Sequence, residues 1–301
     1  MMRKVLFFNQ DRWCMGQIHR SLEKELYQHG IYANLLNWRT EVKPVEWQML
    51  NDTYDLFLTN PDAVLPLANC GIPLGKIATI AHGQWDMLLA QQQSNNFDFY
   101  PQLYKFGVVS QVLKNKCAEH KISTRVPEVV REGLHFDFFY KKPAKKLAKI
   151  GYGGARETKN FFGVEIKRGH LVKHVISQTP LELVEHDFYN WLSMPAYYNS
   201  IDALVASSIE EAAGFPVMEA AAAGRLVLST PVGYFEEDGP KGGGIVLPFQ
   251  ESDYCQSLHD NLAYYYNNPD DYYKKCCEIQ EYAREAYDWS THIHKWVEFL
   301  S

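Results

Sequence analysis

Short apolar runs closed by polar or glycine residues recur along the 301-residue chain, with amphipathic stretches between them. Residues 4–8, 33–36, 56–59, 77–81 and 106–110 read as strands, and residues 17–29 as an amphipathic helix stopped by Gly30. Residues 149–154 (KIGYGG) read as a strand running into a glycine turn, followed by a helix from Phe161. Residues 201–206 (IDALVA) form a short apolar strand closed by serines. After the Gly214-Phe215-Pro216 turn, a small-residue helix runs through 217–223, and residues 225–230 make the next strand. Pro216 suits the first helical position, where its missing N–H is not needed, and Gly224 suits the position just past the end. Residues 289–300 close the chain as a helix. Strand alternating with helix predicts an α/β chain of doubly wound type.

The chemistry concentrates in residues 207–233, where Glu211 and Glu219 stand eight positions apart around the turn. Glu211 falls in a loop at the carboxyl end of a strand, and Glu219 in the first turn of the helix that follows. In an open α/β sheet that crevice is where ligands bind. A buried carboxylate accepts two hydroxyl hydrogen bonds at once, and charge-assisted bonds are the strong ones. As a bland alternative, Glu219 would merely complement the helix dipole. Ser207-Ser208-Ile209-Glu210-Glu211, then Ala212 to Ala220 and Gly224, resembles the donor-site motif of the retaining family 4 glycosyltransferases of GT-B fold, with Ser207 and Leu226 in place of two prolines. Residues 231–236, 244–246 and 283–290 resemble later segments of the same family, and residues 129–134 its turn closing the first domain, so the likeness spans most of the chain.

The resemblance implies a GT-B fold: two Rossmann-like β/α/β domains facing each other across a cleft. Residues 1–140 would form the acceptor-side domain, 141–285 the donor-side domain, and 286–301 a helix crossing back to the first. It further implies a retaining, metal-independent transfer from a nucleotide-sugar donor, UDP- or GDP-linked, to a glycan or lipid-linked acceptor. Glu219 would hold the ribose, Glu211 the sugar hydroxyls, and the backbone of Gly214, Phe215, Pro216 and Val217 would border the sugar and diphosphate. Arg156 and Lys159, after the glycine turn, would neutralise the departing diphosphate, whose charge grows as the glycosidic bond breaks. His82 would act from the first domain near the reacting sugar. Gly16 stands alone where relatives carry a longer glycine-rich loop. That eroded loop keeps a second reading open, a nucleotide-sugar epimerase or hydrolase of GT-B fold. A non-catalytic nucleotide-sugar or glycan-binding module is a third. Gly151, Gly153 and Gly154 would also suit a dinucleotide fingerprint, but no acidic residue follows on a next strand.

Composition narrows the partners. Residues 1–140 carry 14 basic and 14 acidic side chains and residues 141–301 carry 16 and 22, which leaves no basic surface suited to nucleic acid. Six cysteines show no CxxC or zinc-ligand spacing and read as reduced thiols in a cytoplasmic chain. No apolar stretch approaches the roughly 20 residues of a membrane span. Membrane contact is therefore expected to be at most peripheral, with the lysine-rich segment 141–149 read as a solvated interdomain linker. The tyrosine runs at 264–266 and 272–273 read as packing residues rather than a sugar platform.

Overall fold

Val5, Leu6, Phe7 and Phe8 are all buried, although adjacent strand residues point to opposite faces. Only a sheet covered on both sides accommodates that pattern, as in the parallel sheets of α/β proteins. The computed structural model describes residues 2–10, 13–154, 159, 163–186 and 191–301, with residues 13 and 14 by backbone alone. The chain divides into two units, residues 1–133 with 289–301, and residues 134–288.

In the first unit the chain runs through β1 (Arg3–Asn9), α1 (Trp13–Gln28), β2 (Ile31–Asn37), α2 (Pro44–Thr53), β3 (Leu56–Thr59), α3 (Val64–Asn69), β4 (Ile77–Ala81), α4 (Gln84–Gln93), β5 (Lys105–Val108), α5 (Gln111–Glu119) and β6 (Glu128–Val129). The six strands are parallel, in the order β2-β1-β3-β4-β5-β6. The order reverses between β1 and β3, so the crevice of this sheet opens at Asn9 and Asn60, whose side chains are joined by a 2.7 Å hydrogen bond. The C-terminal helix, labelled α13 below (Trp289–Leu300), belongs to this unit. Its Phe299 ring lies where a Cβ on Gly107 would stand 3.0 Å away, so a side chain on β5 there would have to push the ring aside. Gly16 is buried and lies inside the first turn of α1, so it is a helical residue.

The second unit contains α6 (Phe136–Phe139), β7 (Lys149–Tyr152), α7 (Gly169–Ile176), β8 (Glu182–Val184), α8 (Met194–Ser200), β9 (Ala203–Ala206), α9 (Phe215–Ala222), β10 (Leu226–Ser229), α10 (Tyr234–Asp238), β11 (Ile245–Val246), α11 (Glu251–Asn267) and α12 (Pro269–Tyr287). Its strands are parallel in the order β11-β10-β9-β7-β8, and the reversal falls between β7 and β9. Gly151 in β7 is a packing glycine: a Cβ there would stand 2.4 Å from Ile201 Cδ1 and 2.6 Å from the Tyr197 hydroxyl. That close approach of α8 accounts for the glycine without a dinucleotide.

Two local readings change. The helix expected from Phe161, which itself lies outside the described residues, begins at Gly169. Gly163 (φ 77°) and Arg168 (φ 49°) adopt left-handed backbone, which a right-handed helix does not continue through. Segment 141–149 is packed by its backbone rather than solvated throughout. The Lys141 carbonyl accepts from Gln280 at 2.7 Å, the Lys142 carbonyl from Arg225 at 3.2 Å, and Leu147 is 4% exposed. The tyrosine runs divide by helix face: Tyr265 and Tyr272 are buried, while Tyr264, Tyr266 and Tyr273 are exposed. The cysteines among the described residues are free, and no helix among them is long and apolar enough to cross a membrane.

Candidate active site

The carboxyl ends of β7 and β9 flank the reversal in the second sheet, and the polar residues of that unit gather there. Ser207 and Ser208 follow β9 and are buried. The Ser207 hydroxyl donates to the Lys167 carbonyl at 2.5 Å, and the Tyr152 hydroxyl donates to the same carbonyl at 2.7 Å. Ile209 N–H adds a bond to the Ile166 carbonyl at 2.9 Å. Three donors thus pin residues 166–168 against the end of β9, and the left-handed turn at Arg168 aims two successive cations at it.

Lys167 Nζ donates to Glu211 Oε1, and the Ser208 hydroxyl donates to that oxygen at 2.8 Å. Both charged side chains keep about a fifth of their surface open, 18% for Lys167 and 21% for Glu211, so the pair is reachable by a ligand. Arg168 is 6% exposed, with Nε donating to the Ser207 carbonyl at 2.8 Å and Nη1 to the Phe249 carbonyl at 2.6 Å. Its guanidinium lies 5.6 Å from the Tyr254 ring centre, and Nη2 is buried with no hydrogen-bond partner among the described residues. A buried donor without a partner is costly, and an anion arriving there would satisfy it.

Glu219 falls in the second turn of α9, beyond reach of the helix-dipole role that a first-turn acid would have. It is 4% exposed and accepts a 2.7 Å hydrogen bond from the Tyr198 hydroxyl. Burial, reinforced by the neighbouring carboxylate, holds the Tyr198 phenol well above its ordinary pKa, so it remains a donor. The α9 N-terminus is narrower as an anion site than the motif alone implies. Pro216 has no N–H, and the Val217 N–H bonds the Gly214 carbonyl at 3.0 Å, which leaves Gly214 and Phe215 to offer theirs. Gly233 (φ 57°) shapes this turn from behind. A Cβ there would meet Ala213 C and O at 2.8 Å, and the next residue, Tyr234, donates its N–H to Ala213 O at 3.1 Å.

Arg156 lies outside the described residues. Lys159 is exposed and bridges Glu165 through an isolated antiparallel pair. Among the described residues, the cations that the structure brings to Glu211 and Ser207 are Lys167 and Arg168, which sequence reasoning missed. The Lys-Arg-Gly tripeptide at the start of α7 was the available signal. Tyr198 was also missed, because nothing in the pattern of α8 marks it as the partner of a residue on α9.

His82 follows β4 in the first unit. Its Nδ1 lies 2.8 Å from Glu132 Oε1, while Nε2 is buried with no hydrogen-bond partner among the described residues. Burial by itself would lower the imidazole pKa, but the charge and hydrogen bond of Glu132, with Asp86 nearby, outweigh it and the pKa is raised. Asp86 in turn is pushed up to about 6 by burial, against the pull of His82.

Residues 170–268 match the family model of glycosyl transferases group 1. No curated protein matches the chain by sequence. Among solved structures, Anabaena HepE in complex with UDP-glucose is similar at a TM-score of 0.70 and 14% identity, over 99% of each chain. Sucrose-phosphate synthase from Thermosynechococcus elongatus is similar at 0.70 and 10% identity, over 98% of each. A glycosyltransferase from Rickettsia africae is similar at 0.70 and 14% identity, over 99% of this chain and 97% of that one. The two parallel sheets with their helices are thus those of the GT-B fold. The chain carries a glycosyl transferases group 1 domain on that scaffold, and it is a glycosyltransferase.

Proposed function

We propose that the chain transfers a sugar from a nucleotide-sugar donor with retention of configuration, without a metal ion, in the manner of the family 4 enzymes that its Glu211–Glu219 spacing resembles. The observation that carries this reading is the placement of Glu219. It is a buried carboxylate held by Tyr198 on the helix that leaves the sheet reversal, where a ribose diol would find two acceptor oxygens. Glu211, partly open and backed by Lys167 and Ser208, would take hydroxyls of the donor sugar.

The cations supply the rest. As the anomeric bond breaks, negative charge builds on the leaving diphosphate and positive charge on the sugar. Lys167 and the unpartnered Nη2 of Arg168 offer fixed donors to the phosphate oxygens, joined by Arg156 if it follows the family pattern. A cationic donor set of this kind does the electrostatic work that a metal ion does elsewhere, which is why we read the transfer as metal-independent. Retention by front-face attack needs no nucleophile from the protein, since the leaving phosphate accepts the proton of the incoming hydroxyl. HepE has been crystallised with UDP and with UDP-glucose, which favours a UDP-linked hexose as donor here. A glycan or lipid-linked sugar is the acceptor class we propose, at a cytoplasmic site with at most peripheral membrane contact.

Thermal unfolding with UDP, GDP, TDP or ADP in excess EDTA tests the donor site, on wild type and Glu219→Gln. A ligand at about 100 times its dissociation constant adds roughly 2.7 kcal/mol. One nucleotide should raise the wild-type midpoint and fail to raise that of the variant. No response to any nucleotide or UDP-sugar would overturn the reading, and a β-linked product from an α-linked donor would overturn retention.

A further inference from the structure

Glu132 is 1% exposed, a carboxylate almost wholly removed from water two residues before the first unit hands the chain on to the second. Leaving such a charge unpaired is costly enough that its partner defines its role. His82 answers that charge: its Nδ1 stands 2.8 Å from Glu132 Oε1, an ion pair when the ring is protonated. The other ring nitrogen, Nε2, is buried and has no hydrogen-bond partner among the described residues.

The backbone carrying Glu132 is fixed from one side by α13. The Trp296 indole N–H donates to the Arg131 carbonyl at 2.9 Å, immediately before Glu132. Immediately after it, Gly133 lies so close to α13 that a Cβ would stand 2.8 Å from the Trp289 backbone. Trp289 and Trp296 are both buried and meet edge to face at 6.4 Å. Glu132 therefore sits between two residues clamped to the same helix. The resemblance drawn from sequence gave this turn no role beyond closing the domain.

We propose that Glu132 is a positioning residue for His82, held by the two tryptophans of α13, and that it keeps the imidazole protonated with Nε2–H presented to a hydroxyl oxygen of a sugar substrate. The inference rests on the glycosyltransferase reading above. Among the described residues, the titratable groups that face the ring act in both directions. Glu132 and Asp86, from the segment after β6 and from α4, favour the cation, whereas His19 from α1 and burial itself oppose it. Asp62, beside β3, reaches the ring only through Asp86. Two carboxylates at the ring against one neutral imidazole decide the balance toward the protonated form.

The imidazole titration of His82, followed by NMR with His82→Asn to assign the signal, tests the pair without any substrate. In wild type it should titrate above the ordinary 6.5 with both ring nitrogens protonated below that point. In Glu132→Gln it should fall back toward the ordinary value, and in Trp296→Phe it should move the same way by less. Transfer activity supplies the second readout. Glu132→Gln should lower kcat on the order of tenfold at neutral pH and move the alkaline limb of the rate profile downward with the titration, and Glu132→Asp should recover part of both. A rise in KM for the donor alone would assign the hydroxyl to the donor sugar, and one for the acceptor alone to the acceptor. A wild-type His82 titrating at or below the ordinary value overturns the proposal even if no variant folds. So does a titration unchanged by Glu132→Gln. An altered titration in a protein that transfers no sugar would leave the pair standing and remove the function instead.

Discussion

The Tyr198 hydroxyl and the Glu219 carboxylate, 2.7 Å apart on α8 and α9, form a buried pair in which the neutral partner serves the charged one. The two helices flank β9 in sequence, so the strand that separates them also brings their residues together. Tyr198→Phe removes the donor and leaves the carboxylate in place. Donor nucleotide affinity should fall about tenfold, equivalent to roughly 1.4 kcal/mol, with α9 intact by circular dichroism. Unchanged affinity by calorimetry would show that Tyr198 supports folding alone.

Lys167 separates electrostatic catalysis from stability. Its ion pair with Glu211 is partly solvated, and such pairs contribute about 0–1 kcal/mol to folding. Lys167→Met should therefore shift the thermal midpoint little. Its effect on turnover should be much larger, roughly 10²-fold in kcat with UDP affinity reduced less, if the ammonium stabilises charge that grows on the leaving phosphate. Equal losses in kcat and nucleotide affinity would reduce Lys167 to a binding residue.

Strands buried along their whole length were legible from sequence: Leu56–Thr59 and Ile77–Ala81 have the expected bounds, because burial on both faces leaves no alternation to confuse. Helix α13 was legible as well, since Trp289, Ile293, Trp296 and Leu300 recur at helical spacing. The carboxylates of the site were visible because both lie within one short segment around a turn. Lys167, Tyr198 and Glu132 were not, since each reaches its partner only through the sheet. Forty-odd residues of chain and a strand crossover lie between Lys167 and Glu211, and no periodicity encodes that meeting. Residues 163–168 misled for a local reason: two left-handed positions delay α7 to Gly169.

Gly233 is held in a backbone region open to glycine, with the Ala213 carbonyl 2.8 Å from where a Cβ would stand. Gly233→Ala should cost about 1–3 kcal/mol in strain and displace the Ala213–Gly214 turn that opens α9. Urea unfolding would report the lost stability, and a parallel nucleotide titration the displaced turn. A variant as stable as wild type, with unaltered binding, would mean the turn relaxes freely and does not set the site.

The buried groups around His82 make opposite demands on pH. His19, 3% exposed and with no hydrogen-bond partner for Nδ1 among the described residues, has its pKa pushed down to about 3 by burial first and the charge of His82 second. Between that value and the ordinary 6.5 the unfolded chain binds a proton there that the folded chain refuses, so His19 lowers stability as pH falls, by about 1.4 kcal/mol per unit. Asp86, raised from 3.8 to about 6, does the reverse: the folded chain binds the extra proton, and stability rises as pH falls across that window. His82, with its raised pKa, adds stability that is complete below its unfolded value and lost as pH rises through its folded one. Between about pH 6 and 4 the contributions of His19 and Asp86 offset one another. Asp86→Asn should therefore unmask His19, so that the variant loses stability relative to wild type on acidification through that range. His19→Gln should unmask Asp86 and gain. Urea unfolding of the three proteins at pH 6, 5 and 4 gives the slopes, and parallel slopes would show that neither group carries its shift in the folded chain.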